Sequence, residues 1–385
     1  MATQSAPRSP SPESSTASSG AESIAASVAH PDASQLAVQQ RRARQVESVL
    51  DDFFSRAGRR AQRHGAAYVR LWRDLQESTS GGKLVRPQLV IATYEGLGGT
   101  PGEAVAGVAA AFELLHTALI VHDDVIDRDF VRRGKPNISG KYRDLAASNG
   151  ADRATADHHG MSAAVVAGDL ALFYSYRMID YSGVAEATRA PLLELMDEAL
   201  FASAAGELLD LDYSGAVAIP TVDNILEMAR LKTAVYSLEV PLKAGAVLAG
   251  APNEVIEALG DFGREIGTAY QVVDDLLGVF GDSVATGKST TSDLREGKRT
   301  VLVAHAASSD LWAQIAPLFG SAELSDGEAD KFRHAFDASG ARSYAESLLA
   351  EHVDRAEAIL SQSLIPATLR RELAPMLTDL LRRQR

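Results

Sequence analysis

The chain has 385 residues, 46% of them hydrophobic, and a formal charge of −13 from 38 basic and 51 acidic residues. That supplies a sizeable core, in a length above the roughly 250–300 residues at which single cores usually stop growing. The absence of cysteine excludes disulfides and thiolate chemistry and disfavours zinc, and the acidic balance argues against nucleic acid as a partner.

Residues 1–34 are rich in Ser, Ala and Pro and poor in large apolar side chains. They bury too little to offset ordering entropy, so a disordered tail is expected there, with one large helical domain over 35–385. No secretory core segment and no run of 18 uncharged apolar residues is present; the nearest, Ala104 to Val121, contains Glu113 and His116. No membrane span and a cytoplasmic location are therefore expected. From Gln35 apolar residues recur at helical spacing, as in Val46, Val49, Leu50, Phe53 and Phe54. A break at Ser78–Gly82 leads into Gly81-Gly82-Lys83-Leu84-Val85-Arg86-Pro87 and a helix to about Gly96. The next helix is expected to take Thr100 as its cap and Pro101 as its first residue. It runs through the apolar stretch Ala109–Val121 into Asp123-Asp124-Val125-Ile126-Asp127.

The polar stretch from Arg132 to Gly160 reads as a long loop with a short helix. Helical pattern resumes at Ala163 and reaches Gly250, with breaks near 181–190 and 214–222. Pro241 lies inside its last part, where it removes a bond to the Ser237 carbonyl and predicts a kink. A further helix spans Glu254 to Gly281, a polar loop follows from Ser283 to Thr300, and helices continue to Arg385. With no strand alternation, βαβ rhythm or fixed repeat, the fold class is all-α.

Asp123 and Asp127 lie one turn apart on one face. Alone, such a pair is an ordinary solvated helix end. A second one, Asp274-Asp275-Leu276-Leu277-Gly278, closes another apolar helix. Two acidic clusters facing each other across a cavity suit hard divalent cations, which take oxygen ligands. Cationic and polar groups accompany them: Lys83 and Arg86; His116, two turns before Asp123; Arg132 and Arg133; Lys232-Thr233; Gln271, on the face of Asp274; and Lys288 and Lys298 beyond. This set suits two diphosphates, one held through metal and one held directly by Lys, Arg and His.

These motifs resemble, in order and spacing, those of the trans-isoprenyl diphosphate synthases of the polyprenyl synthetase family. The likeness covers about Val46 to Arg385: Gly81–Pro87, Asp123–Asp127 with Arg132-Arg133-Gly134, Lys232-Thr233, Tyr270-Gln271, and Asp274–Asp282 with Gly287-Lys288 and Gly297-Lys298. Many members carry Asp where Gly278 stands; in that feature the chain is similar to actinobacterial geranylgeranyl diphosphate synthases, and Asp282, one turn on, is a candidate substitute.

The resemblance implies helices around a central cavity with two facing Asp-rich motifs. It implies Mg²⁺, about three ions, with Mn²⁺ able to substitute. The metal ligands would come from Asp123, Asp124, Asp127, Asp274 and Asp275. Arg132, Lys232 and Lys288 would assist at the allylic diphosphate, and Lys83, Arg86, His116 and Arg133 would hold isopentenyl diphosphate. Thr233, Gln271 and Lys298 complete the substrate-binding set. Product length would be set on the helix before Asp123 by Ala118 and Leu119, with Leu115 and Phe112 as floors, favouring C20 geranylgeranyl diphosphate over farnesyl or longer products. A homodimer is implied, with the face around Phe112 partly in its interface. A class I terpene cyclase and a catalytically silent subunit of a heteromeric synthase are the other classes; the Lys83/Arg86 pair and Asp274-Asp275 argue against the first, and two intact acidic clusters against the second.

Overall fold

The computed structural model describes residues 33–215, 218–281 and 290–383. Four helices open the chain: α1 (Ala33–Ala61), α2 (Ala66–Thr79), α3 (Val85–Gly96) and α4 (Glu103–Ile126). A small hairpin, β1 (Val131–Arg132) antiparallel to β2 (Lys135–Pro136) with Arg132 opposite Lys135, leads to α5 (Ile138–Ser148), α6 (Arg153–Tyr181) and α7 (Glu186–Gly215). Next comes α8 (Val222–Ala229), a π-helical stretch Arg230–Glu239, and α9 (Val240–Leu248). The long α10 (Asn253–Phe280) and the short α11 (Ser292–Glu296), α12 (Val301–Ala306) and α13 (Trp312–Ile315) precede α14 (Asp326–Ala338), α15 (Ala341–Leu360) and α16 (Ala367–Arg383).

Apolar burial divides between two clusters, each built around a helix that ends in an acidic motif. One surrounds α4, where Ala109, Ala110, Ala111, Phe112, Leu114 and Leu115 are fully enclosed by α1, α2, α3, α6 and α7. The other surrounds α10, where Phe262, Ile266, Ala269, Val272 and Val273 pack against α12, α14, α15 and α16. Fully burying side chains of this size stabilises by about 1.5–3 kcal/mol each, so both motif-bearing helices are held rigidly at their apolar ends. Bare glycines let their neighbours close in: a Cβ on Gly168 of α6 would overlap the His122 ring, and one on Gly206 of α7 would overlap the Lys232 backbone.

Several expectations change. The chain meets the missing N–H of Pro241 by widening the ten residues Arg230–Glu239 into π winding, with the Val240 N–H donating to the Val235 carbonyl. The stretch from Arg132 to Gly160 is mostly ordered: it holds the hairpin and α5, and α6 already begins at Arg153, because Asn137 and Asp152 cap the two helices by accepting from the Gly140 and Thr155 amides. Helix α4 starts two residues after Pro101 with extended Gly102 at its cap, so Thr100 does not cap it. Phe112 is buried in the chain's own core and presents no outer face. The expected tail lies outside the described residues, save Ala33 and Ser34, which begin α1. Among the described residues α4 alone is long and apolar enough to cross a membrane, and 78% of its most apolar window is buried inside the protein.

Candidate active site

The C-terminus of α4 is the negative end of its helix dipole. Placing Asp123, Asp124 and Asp127 there is unfavourable until cations arrive, and the fold supplies two. Arg132, from β1, donates to Asp124 at 2.7 Å and to Asp123 at 3.1 Å. Lys232, from the π-helical stretch, lies 3.3 Å from Asp123, 3.1 Å from Glu207 and 2.6 Å from Asp210 of α7. Burial works against the Lys232 charge, but Asp210, Asp123 and Glu207 outweigh it and hold its ammonium above the ordinary lysine range. Asp124 is buried and taken up by Arg132. Asp127 reaches solvent, yet the protein around it, and then Asp123, push its carboxyl up to about 6.

The second motif has the same division of labour. Asp274 is exposed and Asp275 is buried. Gln271 donates to Asp275 at 2.9 Å, and the Val301 amide that opens α12 donates to its other oxygen at 3.3 Å. Burial raises the Asp275 carboxyl to about 7 against those two bonds, with Asp293 and Asp274 adding to the rise. Lys298, just past α11, pairs with Glu296 at 3.1 Å and Asp293 at 3.4 Å. Its charge and that of Asp127 are close enough to act on one another. The two acidic motifs thus border one cleft with Lys298 between them.

Beside this cleft lies a cavity of about 890 Å³ between the loop at Gly81-Gly82, the α4 face bearing Glu113, His116 and Thr117, and the hairpin with Arg132 and Arg133. Arg86 of α3 is outside that lining but close enough for its charge to act on Glu113 and His116; it stacks over the Tyr236 ring at 4.8 Å and donates to Ser237 at 2.6 Å. Tyr236 stacks in turn on His116. Burial, then Arg86, Arg133 and Arg132, hold the imidazole of His116 well below its ordinary value, so it is neutral at pH 7. Burial raises the carboxyl of Glu113 against the pull of Arg86 and Arg133, and its Oε2 has no hydrogen-bond partner. The non-glycine residues with positive φ among those described are Leu84, Arg128 and Arg133, all in loops at this site. Such conformations cost about 1–3 kcal/mol each and persist where surrounding structure enforces them. A second cavity, about 800 Å³, opens at the opposite end of α4 and touches neither motif.

The donor set facing the cleft consists of hard oxygen atoms. Among the described residues no three acidic or histidine groups converge closely enough to enclose an ion by themselves. Carboxylates this sparse, one of them raised by burial and then by its neighbour, fit Mg²⁺, which keeps water and takes phosphate oxygens for the rest of its shell.

A family model, "Polyprenyl synthetase", matches residues 71–335. The chain belongs to the polyprenyl synthetase family. A geranylfarnesyl diphosphate synthase of Aeropyrum pernix is 34% identical over 304 residues, 78% of this chain and 89% of that protein. A (2E,6E)-farnesyl diphosphate synthase of Mycobacterium tuberculosis is 33% identical, over 74% of this chain and 75% of its own. The crystal structure of a Corynebacterium glutamicum geranylgeranyl pyrophosphate synthase, complexed with isoprenyl diphosphate and magnesium, superposes with a TM-score of 0.79 at 29% identity, covering 88% of this chain and 97% of that one. The protein is a trans-isoprenyl diphosphate synthase, an enzyme that joins isopentenyl diphosphate to allylic diphosphates.

Of the residues singled out from sequence, Asp123, Lys232 and Arg132 come together at one end of the synthase's cleft, with Asp127 one turn on and Lys298 acting across from α11. Arg86, His116 and Arg133 gather at the 890 Å³ cavity, which His116 and Arg133 line, with Lys83 exposed on the adjoining loop. Asp124 and Asp275 are turned into ion-pair and hydrogen-bond partners and away from the open cleft. Thr233 follows Lys232 in the π-helical stretch. Ala118 and Leu115 are sealed in the core, leaving Leu119 as the half-buried member of that set. Lys288 and Asp282 lie outside the described residues. Sequence reasoning missed Glu207 and Asp210, whose i, i+3 spacing in an apolar helix was a usable signal. It also missed Tyr236, Ser237 and Asp293, for which no local signal exists.

Proposed function

We propose that the enzyme makes all-trans geranylgeranyl diphosphate, in a cleft where Asp123 and Asp127 at the end of α4 and Asp274 of α10 hold Mg²⁺, about three ions if the family resemblance holds in full. Bound there, Mg²⁺ would supply positive charge to the departing diphosphate. Lys232 and Lys298 add fixed charge on either side of it, where negative charge develops as the allylic C–O bond breaks. Arg133 and neutral His116, which line the 890 Å³ cavity, orient isopentenyl diphosphate there with Arg86 and Lys83 from its surroundings, so that its alkene meets the allylic carbon. The alkene electrons form the new carbon–carbon bond, and the proton then released passes to the leaving diphosphate. No side-chain nucleophile takes part. Lys288 is proposed to assist at the allylic diphosphate and Thr233 and Gln271 to line the substrates.

The observation that carries the C20 reading is the aliphatic turn below Asp123. Leu119, about 6 Å down the axis at 1.5 Å per residue, is half-buried beside small, enclosed Ala118. Neither residue carries an aromatic ring that could close a path at that level. Support also comes from a relative named as a geranylgeranyl diphosphate synthase in Sulfolobus acidocaldarius, 31% identical. Product analysis with Mg²⁺, isopentenyl diphosphate and each short allylic starter tests it: a dominant C15 or C25 product overturns the length. A Leu119→Phe variant should shorten the product, and an unchanged length would show that the tail avoids this face.

The enzyme is further proposed to be a cytoplasmic homodimer. Val166, Phe173 and Tyr181 of α6 and Phe201 and Leu208 of α7 are large, apolar and exposed, 75% in the case of Phe201. Their spacing lines them along one side of two adjoining helices, a surface of the kind that a partner subunit covers.

A further inference from the structure

Helix α1 carries two rows of side chains at steps of four: Val49, Phe53 and Ala57, and one residue behind them Ser48, Asp52, Arg56 and Arg60. Residues four apart share a face, so an apolar row and a charged row run side by side. Both line the 800 Å³ cavity, together with the end of α6 and the start of α4. The apolar side lies deeper: Met178 and Ala106 are buried and Val49, Phe53 and Tyr174 half-buried, whereas Arg44, Arg56 and Arg60 are exposed at the rim. Five arginines face this cavity against two carboxylates, Asp52 and Glu103, in a chain whose net charge is −13. Arg41 is committed to Glu95 at 2.9 Å, and Arg177 to Asp180 at 3.5 Å and the Tyr181 ring at 4.4 Å. Among the described residues Arg44 and Arg56 have no hydrogen-bond or ion-pair partner, and Arg60 has the Tyr174 hydroxyl alone, at 3.1 Å. Arg56 and Arg60 stand one turn apart, about 6 Å along the axis, within reach of a single phosphate, whereas Arg44 is about 18 Å from Arg56. Like charges at this spacing repel, and an anion between them relieves the repulsion.

We propose that this cavity is a second ligand site, apart from the catalytic cleft, for an amphiphilic phosphate ester. Arg56 and Arg60 hold its phosphate or diphosphate head, and its apolar chain lies along Val49, Phe53 and Met178. Guanidinium forks match phosphate oxygens, and a cavity of this size, apolar within and polar at a few points, is the usual form of a small-molecule site. A wholly polar anion would leave the Phe53 and Met178 side uncovered, and a plain hydrocarbon would leave the arginines unanswered. One chemistry meets both, and it has two sources: a prenyl phosphate in solution, the class of the enzyme's own substrates and products, or a phospholipid headgroup with its chains. The site does not depend on product length, because the cavity touches neither acidic motif.

Trp72 reports on this cavity, since its ring meets Phe53 at 5.9 Å and Tyr174 at 5.4 Å, both on the cavity wall. The chain has two tryptophans, so Trp312→Phe leaves Trp72 as the sole emitter. Monoalkyl phosphates are titrated into that full chain, with EDTA to keep metal out of the cleft. They should saturate its fluorescence, and the dissociation constant should fall by up to about fourfold per added methylene. Arg56→Gln/Arg60→Gln should raise that constant at least about tenfold and leave turnover unchanged. Calorimetry on the unaltered chain gives the same constant without any variant. Inorganic phosphate or the matching alcohol binding as tightly as the alkyl phosphate overturns the proposal, as does an unchanged double variant. Loss of the signal in Arg86→Ala would move the binding to the 890 Å³ cavity and overturn it too. A double variant of half the wild-type mass by light scattering would put a second subunit in the groove, with the same consequence. The source is decided by comparing farnesyl monophosphate, kept below its micellar concentration, with phosphatidylcholine vesicles that contain phosphatidic acid. Saturation by the first without lipid supports the soluble ester, and vesicle binding that the double variant loses supports the headgroup. Binding of neither overturns the site.

Discussion

Lys232 offers the most direct perturbation of the cleft. Its ammonium faces Asp123, Glu207 and Asp210 at 3.3, 3.1 and 2.6 Å, and all four side chains are between 21% and 30% exposed. At such distances the bare attraction of a pair is about 5–6 kcal/mol with an effective dielectric of 20, but solvent screening reduces measured exposed pairs to about 0–1 kcal/mol. Three pairs of intermediate exposure therefore contribute roughly 1–3 kcal/mol. Lys232→Met keeps most of the stem and deletes the charge, leaving three carboxylates facing one another. The melting temperature without metal should fall by roughly 2–12 °C, at about 2–4 °C per kcal/mol for a large domain. Added Mg²⁺ should restore part of that loss, stabilising the variant more than the wild type, because it replaces the missing positive charge among the carboxylates. Turnover should stay low even then, since a divalent ion cannot copy an ammonium fixed beside the leaving group. Thermal scans with and without Mg²⁺, alongside steady-state rates, check all three. A Lys232→Met enzyme that melts like the wild type and gains no more from Mg²⁺ would refute the clamp of three acids.

Arg86→Ala removes the guanidinium stacked on Tyr236 and bonded to Ser237; the KM for isopentenyl diphosphate should rise about 10–100-fold with a much smaller change for the allylic substrate. Equal shifts in both would merge the two proposed sites. Glu113 tests a linkage of defined sign. Its folded carboxyl is raised above 4.5, so the fold retains a proton that the unfolded chain has released, and stability falls as pH rises from about 4.5 through the raised value. Glu113→Gln abolishes that fall: its melting temperature should exceed the wild type's at pH 8 and converge with it near pH 4, and a constant offset across pH would contradict the assignment. Phe201→Glu should halve the mass measured by light scattering if α6 and α7 form the subunit interface, whereas an unchanged mass would place the interface elsewhere.

The sequence made the all-α class and both acidic helices visible because apolar periodicity and Asp spacing are local properties. Asp123, Lys232 and Arg86 were found the same way, as residues in short motifs. What escaped depends on contacts between distant segments. Glu207 and Asp210 acquire meaning only when α7 approaches the π-helical stretch over Gly206, and Asp293 only when α11 settles on Gly278. The buried and the available members of each Asp pair also look alike in sequence; Arg132 separates them in the first motif, and Gln271 and Val301 in the second. Pro241 signalled a disturbance correctly, but its extent, ten π-wound residues ahead of it, has no local signal in the sequence.

That widened stretch constrains how this part of the chain can change in length. Each residue turns a helix by about 100°. Lys232 points at Asp123 because the π winding between Arg230 and Glu239 sets its angle relative to α9. Deleting a single residue between Lys232 and Pro241 would allow the segment to rewind as an ordinary α-helix with its hydrogen bonds intact. The lysine would then swing roughly a quarter-turn away from the carboxylates. A one-residue gap here would thus cost turnover while leaving a folded helix, unlike a substitution at a position that faces neither the carboxylates nor the core.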